Sequence, residues 1–242
     1  MVTRQDRKFR VAEIFGPTIQ GEGALIGTQT HFIRLGGCDY RCSWCDSMHS
    51  VDPEKVAALP QRTEREILLE VVSLPGTPEW VTLSGGNPAL FDLSGLVRLL
   101  TGRFKVAVET QGTIYKPWLR LCNLVTVSPK PPSSGNMTHD RIVGEFFSHF
   151  PIQDTPNTCL KVVVFDDKDF EYAANIFSRF PWVPCWVQVG NPIVGSGIKP
   201  DVTDLLSRLK WLSEKVLADE RMYGAKVTPQ LHTLIWGNEL GH

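Results

Sequence analysis

Short apolar runs rich in Val, Ile and aromatic residues recur along the chain: "THFIRLGG", "EWVTLSGG", "FKVAVETQG", "NLVTVSPKPP", "CLKVVVFDD", "PCWVQVGNP" and, more weakly, "GAKVTPQLH". Near-continuous hydrophobicity suits strands covered on both faces, as in a parallel sheet. Helical patterns lie between several of them. "TEREILLEVVSL" opens with Thr63 as a cap and Glu66 three residues on, and "DLSGLVRLL", "DKDFEYAANIFSRF" and "VTDLLSRLKWLSEKVLADE" read the same way. Strand, loop, helix, strand is the repeating order, which predicts an α/β protein with mostly parallel strands.

The runs also end alike, in small and polar residues: Ser84-Gly85-Gly86-Asn87-Pro88, Glu109-Thr110-Gln111-Gly112, Ser128-Pro129-Lys130 and Gln188-Val189-Gly190-Asn191. Parallel strands point all these ends the same way, and that rim is where barrels and open sheets bind ligands. Turn chemistry explains the glycines and prolines. It does not explain Glu109, Lys130 and Gln188 at comparable strand ends, so a binding rim is expected. With 242 residues and no internal repeat, residues 1–242 are expected to form one domain, and "SPKPPSSGN" reads as a stiff surface loop. A formal net charge of -1 gives no electrostatic case for nucleic acid. No run is long enough to span a bilayer, and "MVTRQDRKFR" has no apolar stretch behind it, so a cytoplasmic protein without membrane attachment is expected.

Three of the six cysteines, Cys38, Cys42 and Cys45, fall in "GGCDYRCSWCDS". A structural zinc site usually takes four protein ligands, often as two C-x-x-C pairs, and no second pair exists here. A redox pair of Cys42 and Cys45 leaves Cys38 without a role. A [4Fe-4S] cluster fits better: its four irons normally take four thiolates, and three leave one iron open. Cys122, Cys159 and Cys185 stand alone beside apolar segments and read as small core residues, not disulfide partners.

C-x-x-x-C-x-x-C after a first strand resembles the radical S-adenosylmethionine (SAM) superfamily. The resemblance implies that the open iron chelates SAM's amino and carboxylate groups. One electron then breaks a carbon-sulfur bond, and the resulting 5′-deoxyadenosyl radical abstracts hydrogen from substrate. The protein supplies position and shielding. By the same resemblance Trp44 packs near the adenine, and Cys45 and Asp46 belong to the SAM-contacting loop. Ser84 to Pro88 is similar to the family's Gly-Gly-Glu-Pro motif, in which the backbone at Gly85 and Gly86 meets the SAM amino group. Asn87 replaces the Glu, which leaves the backbone role intact. Glu109, Ser128, Pro129, Lys130, Gln188 and Asn191 are implied around SAM's ribose, carboxylate and adenine.

Narrower still, "EIFGPTIQGEG", "FIRLGGCDYRCSWCDS", "SGGNPAL", "ETQGT", "SPKPPSS" and "QLHTLIWGN" together resemble the 7-carboxy-7-deazaguanine synthases, from Glu13 to Asn238. That resemblance implies a shortened radical SAM β/α barrel with few helices. It implies contraction of 6-carboxy-5,6,7,8-tetrahydropterin to 7-carboxy-7-deazaguanine with loss of ammonia, on the route to queuosine and related 7-deazapurines. SAM is reused, Mg²⁺ assists, an electron donor such as a flavodoxin is needed, and a homodimer is usual.

Ile19, Gln20, Gly21 and Glu22 in "TIQGEG" are then substrate residues, since a carboxylate accepts well from a pterin's N–H edge. Arg34 is expected to pair with the substrate carboxylate, and Ser84 to touch substrate before the diglycine. Ser47 matches the family's hydroxyl ligand to Mg²⁺. Gln230 and His232 match a C-terminal segment that closes the pocket. Some relatives also use a terminal carboxylate there; the continuation through "NELGH" argues against that contact here. Two other readings compete: a glycyl-radical activating enzyme, which shares the cysteine spacing, and a non-catalytic zinc module in which His49 joins the three cysteines.

Overall fold

A computed structural model describes residues 7–150, 157–193 and 198–241. Its centre is a sheet of nine strands: β1 (Lys8–Ile19), β2 (Gln29–Leu35), β3 (Gln61–Thr63), β4 (Trp80–Gly85), β5 (Lys105–Thr110), β6 (Leu124–Val127), β7 (Thr158–Val164), β8 (Cys185–Val189) and β9 (Lys226–Thr228). They lie in the order β3-β1-β2-β4-β5-β6-β7-β8-β9, with β1 antiparallel to both neighbours and every later pairing parallel. The helices are α1 (Pro53–Ala58), α2 (Glu64–Ser73), α3 (Ser94–Leu100), α4 (Asp140–Ser148), α5 (Asp167–Arg179), α6 (Val202–Ala218) and α7 (Leu231–Trp236). An open, mostly parallel sheet with few helices is the shortened β/α barrel expected from the sequence.

Period-two alternation explains how this sheet carries both a core and a site. Val81 and Leu83, Val106 and Val108, Val125 and Val127, and Leu160, Val162 and Val164 all join the hydrophobic core with residues of α3, α4 and α5. Each such side chain contributes about 1.5–3 kcal/mol by leaving water. The alternate positions, among them Arg34, Ser84, Glu109 and Lys161, face the other side and line a cavity. The inner face is therefore partly polar, where two apolar faces were expected. The isolated Cys122, Cys159 and Cys185 are buried, and all six cysteines are free thiols.

α2 begins with the expected capping box: Thr63 accepts from Glu66 N at 3.2 Å while the Glu66 carboxylate accepts from Thr63 N at 2.7 Å. Five elements, β1, β3, α1, α4 and α7, have no counterpart in the sequence expectation, and two of them show why. β1 precedes the strand read as first; its pairing with β2 is broken by register shifts between Val11 and Glu13 and between Phe15 and Thr18, which obscure its alternation. α4 was not anticipated because Gly144 weakens its helical pattern. It forms nonetheless, since Val143, Phe146 and Phe147 bury against the core. Among the described residues no helix is long and apolar enough to cross a membrane.

Candidate active site

The C-terminal ends of β2, β4, β5, β6 and β7 open into one cavity of about 550 Å³. The cysteine loop after β2 is tied to the loop after β6. Ser43 N donates to Ser134 O at 3.0 Å, Ser43 Oγ to Ser133 O at 2.8 Å, and Asn136 Nδ2 to Arg41 O at 2.6 Å. Trp44 leans on Phe165 with ring centroids 5.0 Å apart, and its Nε1 donates to Ser133 Oγ at 3.0 Å. Ser133 Oγ in turn donates to the buried carboxylate of Asp169 at 2.6 Å. The stretch read as a plain surface loop is thus a clasp on the cysteine loop.

Cys38, Cys42 and Cys45 all line the cavity. Burial is the largest influence on each thiol and pushes all three pKa values up, Cys45 to about 12 with the Asp46 charge adding to it. Left alone they stay protonated, and a metal is what would make them thiolates. Among the described residues, three donor atoms mutually within 4.8 Å occur at Glu22, Asp46 and His232, so the three sulfurs are spread wider than that. A single zinc ion, with Zn–S near 2.3 Å, needs them closer. His49 does not join them: its Nε2 lies 2.8 Å from Glu13 Oε1. Three spread thiols around an open space fit a cluster with one uncommitted iron. Two donors already point at Cys38 Sγ, Tyr40 N at 3.4 Å and Gln111 Nε2 at 3.5 Å.

The diglycine loop after β4 packs against this cradle. A Cβ at Gly85 would lie 2.1 Å from Leu35 O, and one at Gly86 would lie 2.0 Å from Gly37 O. The glycines are needed, first of all, for the close approach of two strand ends. Ser84 Oγ is buried beside them without a hydrogen-bond partner. Asn87, where the superfamily motif has Glu, is fully buried. Its Nδ2 donates to Asp39 Oδ1 at 2.8 Å, and its Oδ1 accepts from Ala89 N at 3.1 Å and Thr110 Oγ1 at 2.8 Å. Asp39 also accepts from Gln111 Nε2 and Thr113 Oγ1. The side chain at position 87 therefore does have a role, as the amide partner of a carboxylate on the cysteine loop.

Across the cavity, Ile19 at the end of β1 and Gln20 to Glu22 after it line the wall with Gln230 and His232. Gly21 meets the C-terminal segment: Leu231 N donates to Gly21 O at 2.9 Å, and a Cβ on Gly21 would lie 2.8 Å from the backbone N of His232. Glu22 accepts from Gln230 Nε2 at 2.8 Å and from Lys161 Nζ. Burial alone would raise the Glu22 pKa. The Lys161 and His232 charges and these hydrogen bonds more than offset it, holding the carboxyl well below the usual range.

Lys161 was missed by the sequence reading, hidden inside an apolar run. Its Nζ also lies 3.0 Å from Glu109 Oε2, and Glu109 Oε1 accepts from Gln20 Nε2 at 3.1 Å. Glu109, expected at the SAM ribose, is thereby joined to the "TIQGEG" wall.

Arg34 is shared. Its Nη1 donates to Ser47 Oγ at 2.7 Å, and its Nε lies 3.5 Å from Glu13 Oε2 on the neighbouring strand. Ser47 Oγ donates to Asp46 Oδ1 at 2.9 Å. Ser128 and Lys130 line the cavity, with Lys130 Nζ donating to Ser128 Oγ at 3.2 Å. Asn191 lines it too but is engaged with the C-terminal segment, its N donating to Gln230 Oε1 and its Nδ2 to Asn238 Oδ1, while its Oδ1 accepts from the nearby Ile193 N, each at 3.0 Å. Pro129 and Gln188 are not part of the lining; Gln188 is fully buried with neither amide atom hydrogen-bonded. Glu239, Leu240 and Gly241 do line the cavity, so part of "NELGH" reaches it, while His242 lies outside the described residues.

No family model matches the chain. Among curated proteins it is 42% identical over 236 residues to the 7-carboxy-7-deazaguanine synthase of Bacillus subtilis (strain 168), covering 96% of this chain and 97% of that one. To the synthase of Bacillus cereus it is 42% identical over 240 residues, covering 97% and 99%. The Pyrobaculum aerophilum synthase is 31% identical over 246 residues, covering 97% of each. Among solved structures, QueE from Escherichia coli superposes with a TM-score of 0.67 at 22% identity, over 93% of this chain and 95% of that one. Streptococcus suis SuiB bound to S-adenosylmethionine shares the fold, with a TM-score of 0.52 at 14% identity over 81% of this chain and 49% of that one. Relatives this similar along almost their whole length show that the chain belongs to the 7-carboxy-7-deazaguanine synthase family.

Proposed function

We propose that residues 1–242 act as one radical SAM domain that contracts 6-carboxy-5,6,7,8-tetrahydropterin to 7-carboxy-7-deazaguanine with loss of ammonia. The observation that carries this reading is one cavity in which the three-thiol loop and diglycine loop face a wall of two acceptor carboxylates, Glu22 and Glu109, held by the Gln20 and Gln230 amides. The cluster and SAM, when bound, supply the hydrogen-abstracting radical chemistry. Cys38, Cys42 and Cys45 hold the cluster. Gly85 and Gly86 offer backbone to SAM, Ser84 offers an unpaired hydroxyl, and Trp44, Ser128 and Lys130 form the adjoining wall.

On the substrate side, Glu22 and Glu109 accept from the pterin N–H edge, and Arg34 faces its carboxylate. Gln230 and His232 close the pocket over Gly21 and exclude water. Ser47 suits Mg²⁺: its proton goes to Asp46 and one lone pair to Arg34, leaving one lone pair for a hard cation. The family resemblance supports a cytoplasmic homodimer served by an electron donor such as a flavodoxin. The test is anaerobic incubation with SAM, dithionite, Mg²⁺ and the carboxytetrahydropterin, followed by mass spectrometry. The expected product has lost ammonia, and SAM is not consumed; SAM cleavage with no change to the pterin overturns the reading.

A further inference from the structure

A lysine in the middle of a buried strand is rare unless it is paired. Lys161 is 2% exposed, in a strand whose seven residues are all buried. It is paired twice, to Glu22 arriving from the loop after β1 and to Glu109 on β5. Each carboxylate gives its Oε2 to the ammonium and its Oε1 to a glutamine amide, Gln230 for Glu22 and Gln20 for Glu109. All five side chains line the cavity. Two anions on one cation leave the Glu22–Lys161–Glu109 trio with one carboxylate charge unbalanced by the ammonium, which complements a ligand edge made of N–H donors. Both carboxylates keep unused lone pairs for such donors, since an ionised carboxylate offers about four acceptor sites. A compact ammonium is the group that can hold two carboxylates side by side without filling the space in front of them.

We propose that Lys161 is a positioning residue for substrate recognition: it locks Glu22 and Glu109 together as one paired acceptor array facing the amino-pyrimidinone edge. This rests on the carboxytetrahydropterin reading of the cavity. It also assigns Glu109 to substrate in place of the SAM ribose.

The test compares Lys161→Met with the charge-balanced double variant Lys161→Met/Glu109→Gln. Affinities of the cluster-loaded proteins for SAM and for carboxytetrahydropterin are measured anaerobically, and melting temperatures are measured on the metal-free proteins. Lys161→Met is expected to weaken pterin binding about ten- to a hundredfold, while SAM affinity moves by less than about threefold. Removing one carboxylate as well is expected to recover part of the melting temperature, because the unpaired repulsion is gone, while pterin affinity stays low because Glu109 is itself an acceptor. A space-filling lysine would show no such recovery. Equal losses of SAM and pterin affinity, or a double variant that melts no higher than the single one, overturn the proposal. If Lys161→Met fails to fold, folding of the double variant supports the charge assignment and failure of both overturns it. A native protein that binds SAM but not the pterin refutes the functional reading instead; the charge assignment is then decided by the two melting temperatures.

Discussion

Restoring the superfamily's glutamate at position 87 is expected to damage this protein. Asn87 is fully buried and donates to Asp39 Oδ1 at 2.8 Å. Asn87→Glu replaces that donor with a second carboxylate. Two unit charges about 4 Å apart repel by about 4 kcal/mol at an effective dielectric of 20. Asp39 is solvent-exposed, so screening reduces the repulsion to about 2 kcal/mol. The lost hydrogen bond to a charged acceptor adds about 1.5 kcal/mol at the low end of its range. A total near 3.5 kcal/mol lowers the melting temperature of a chain this size by about 7–14 °C.

Differential scanning calorimetry on metal-free protein reads this without interference from the cluster. Asp39→Asn/Asn87→Glu should recover at least half the loss, since one carboxylate again faces one amide. An Asn87→Glu variant within about 2 °C of the native protein, or a double variant as unstable as the single one, would refute the reasoning.

Gly21→Ala should push the C-terminal segment off the substrate wall, because the new Cβ would lie 2.1 Å from His232 Nδ1 as well as against its backbone. At about 1–3 kcal/mol of overpacking, the KM for the pterin rises about five- to a hundredfold with iron content unchanged; an unaltered KM removes the docking role. Alanine at Cys38, Cys42 or Cys45 should abolish bound iron and SAM cleavage, while Cys159→Ala, buried away from the loop, keeps both. Iron analysis decides it: full loading in Cys42→Ala rules the cluster assignment out.

The parallel strands and their functional rim were legible because both are local patterns: an apolar run, then small or polar residues at its end. The cysteine triplet was legible for the same reason. What escaped were partnerships across the chain. Lys161 looks like an interruption in "CLKVVVFDD", and its meaning comes from Glu22 and Glu109, which lie 139 and 52 positions away. Ser133 sits in a proline-rich stretch that reads as a surface loop, and only its contacts with Trp44 and Asp169 reveal a task. Gln188 shows the converse. It stands at a strand end like Glu109, yet lies outside the cavity wall, because occupying a rim position does not decide which side chains reach the opening.

The clasp between the Ser133–Asn136 stretch and the cysteine loop also bears on how the enzyme matures. Small zinc domains draw the order of their ligand loop from the ion, so that metal affinity is spent on folding. Here Ser43, Trp44 and Arg41 are fastened by Ser133, Ser134 and Asn136, and Ser133 is anchored by Asp169 at the start of α5. The polypeptide thus orders the loop in part through contacts that involve no iron. Such contacts offset part of the ordering cost of the loop, so that more of the binding energy of three thiolates is left to hold a metal.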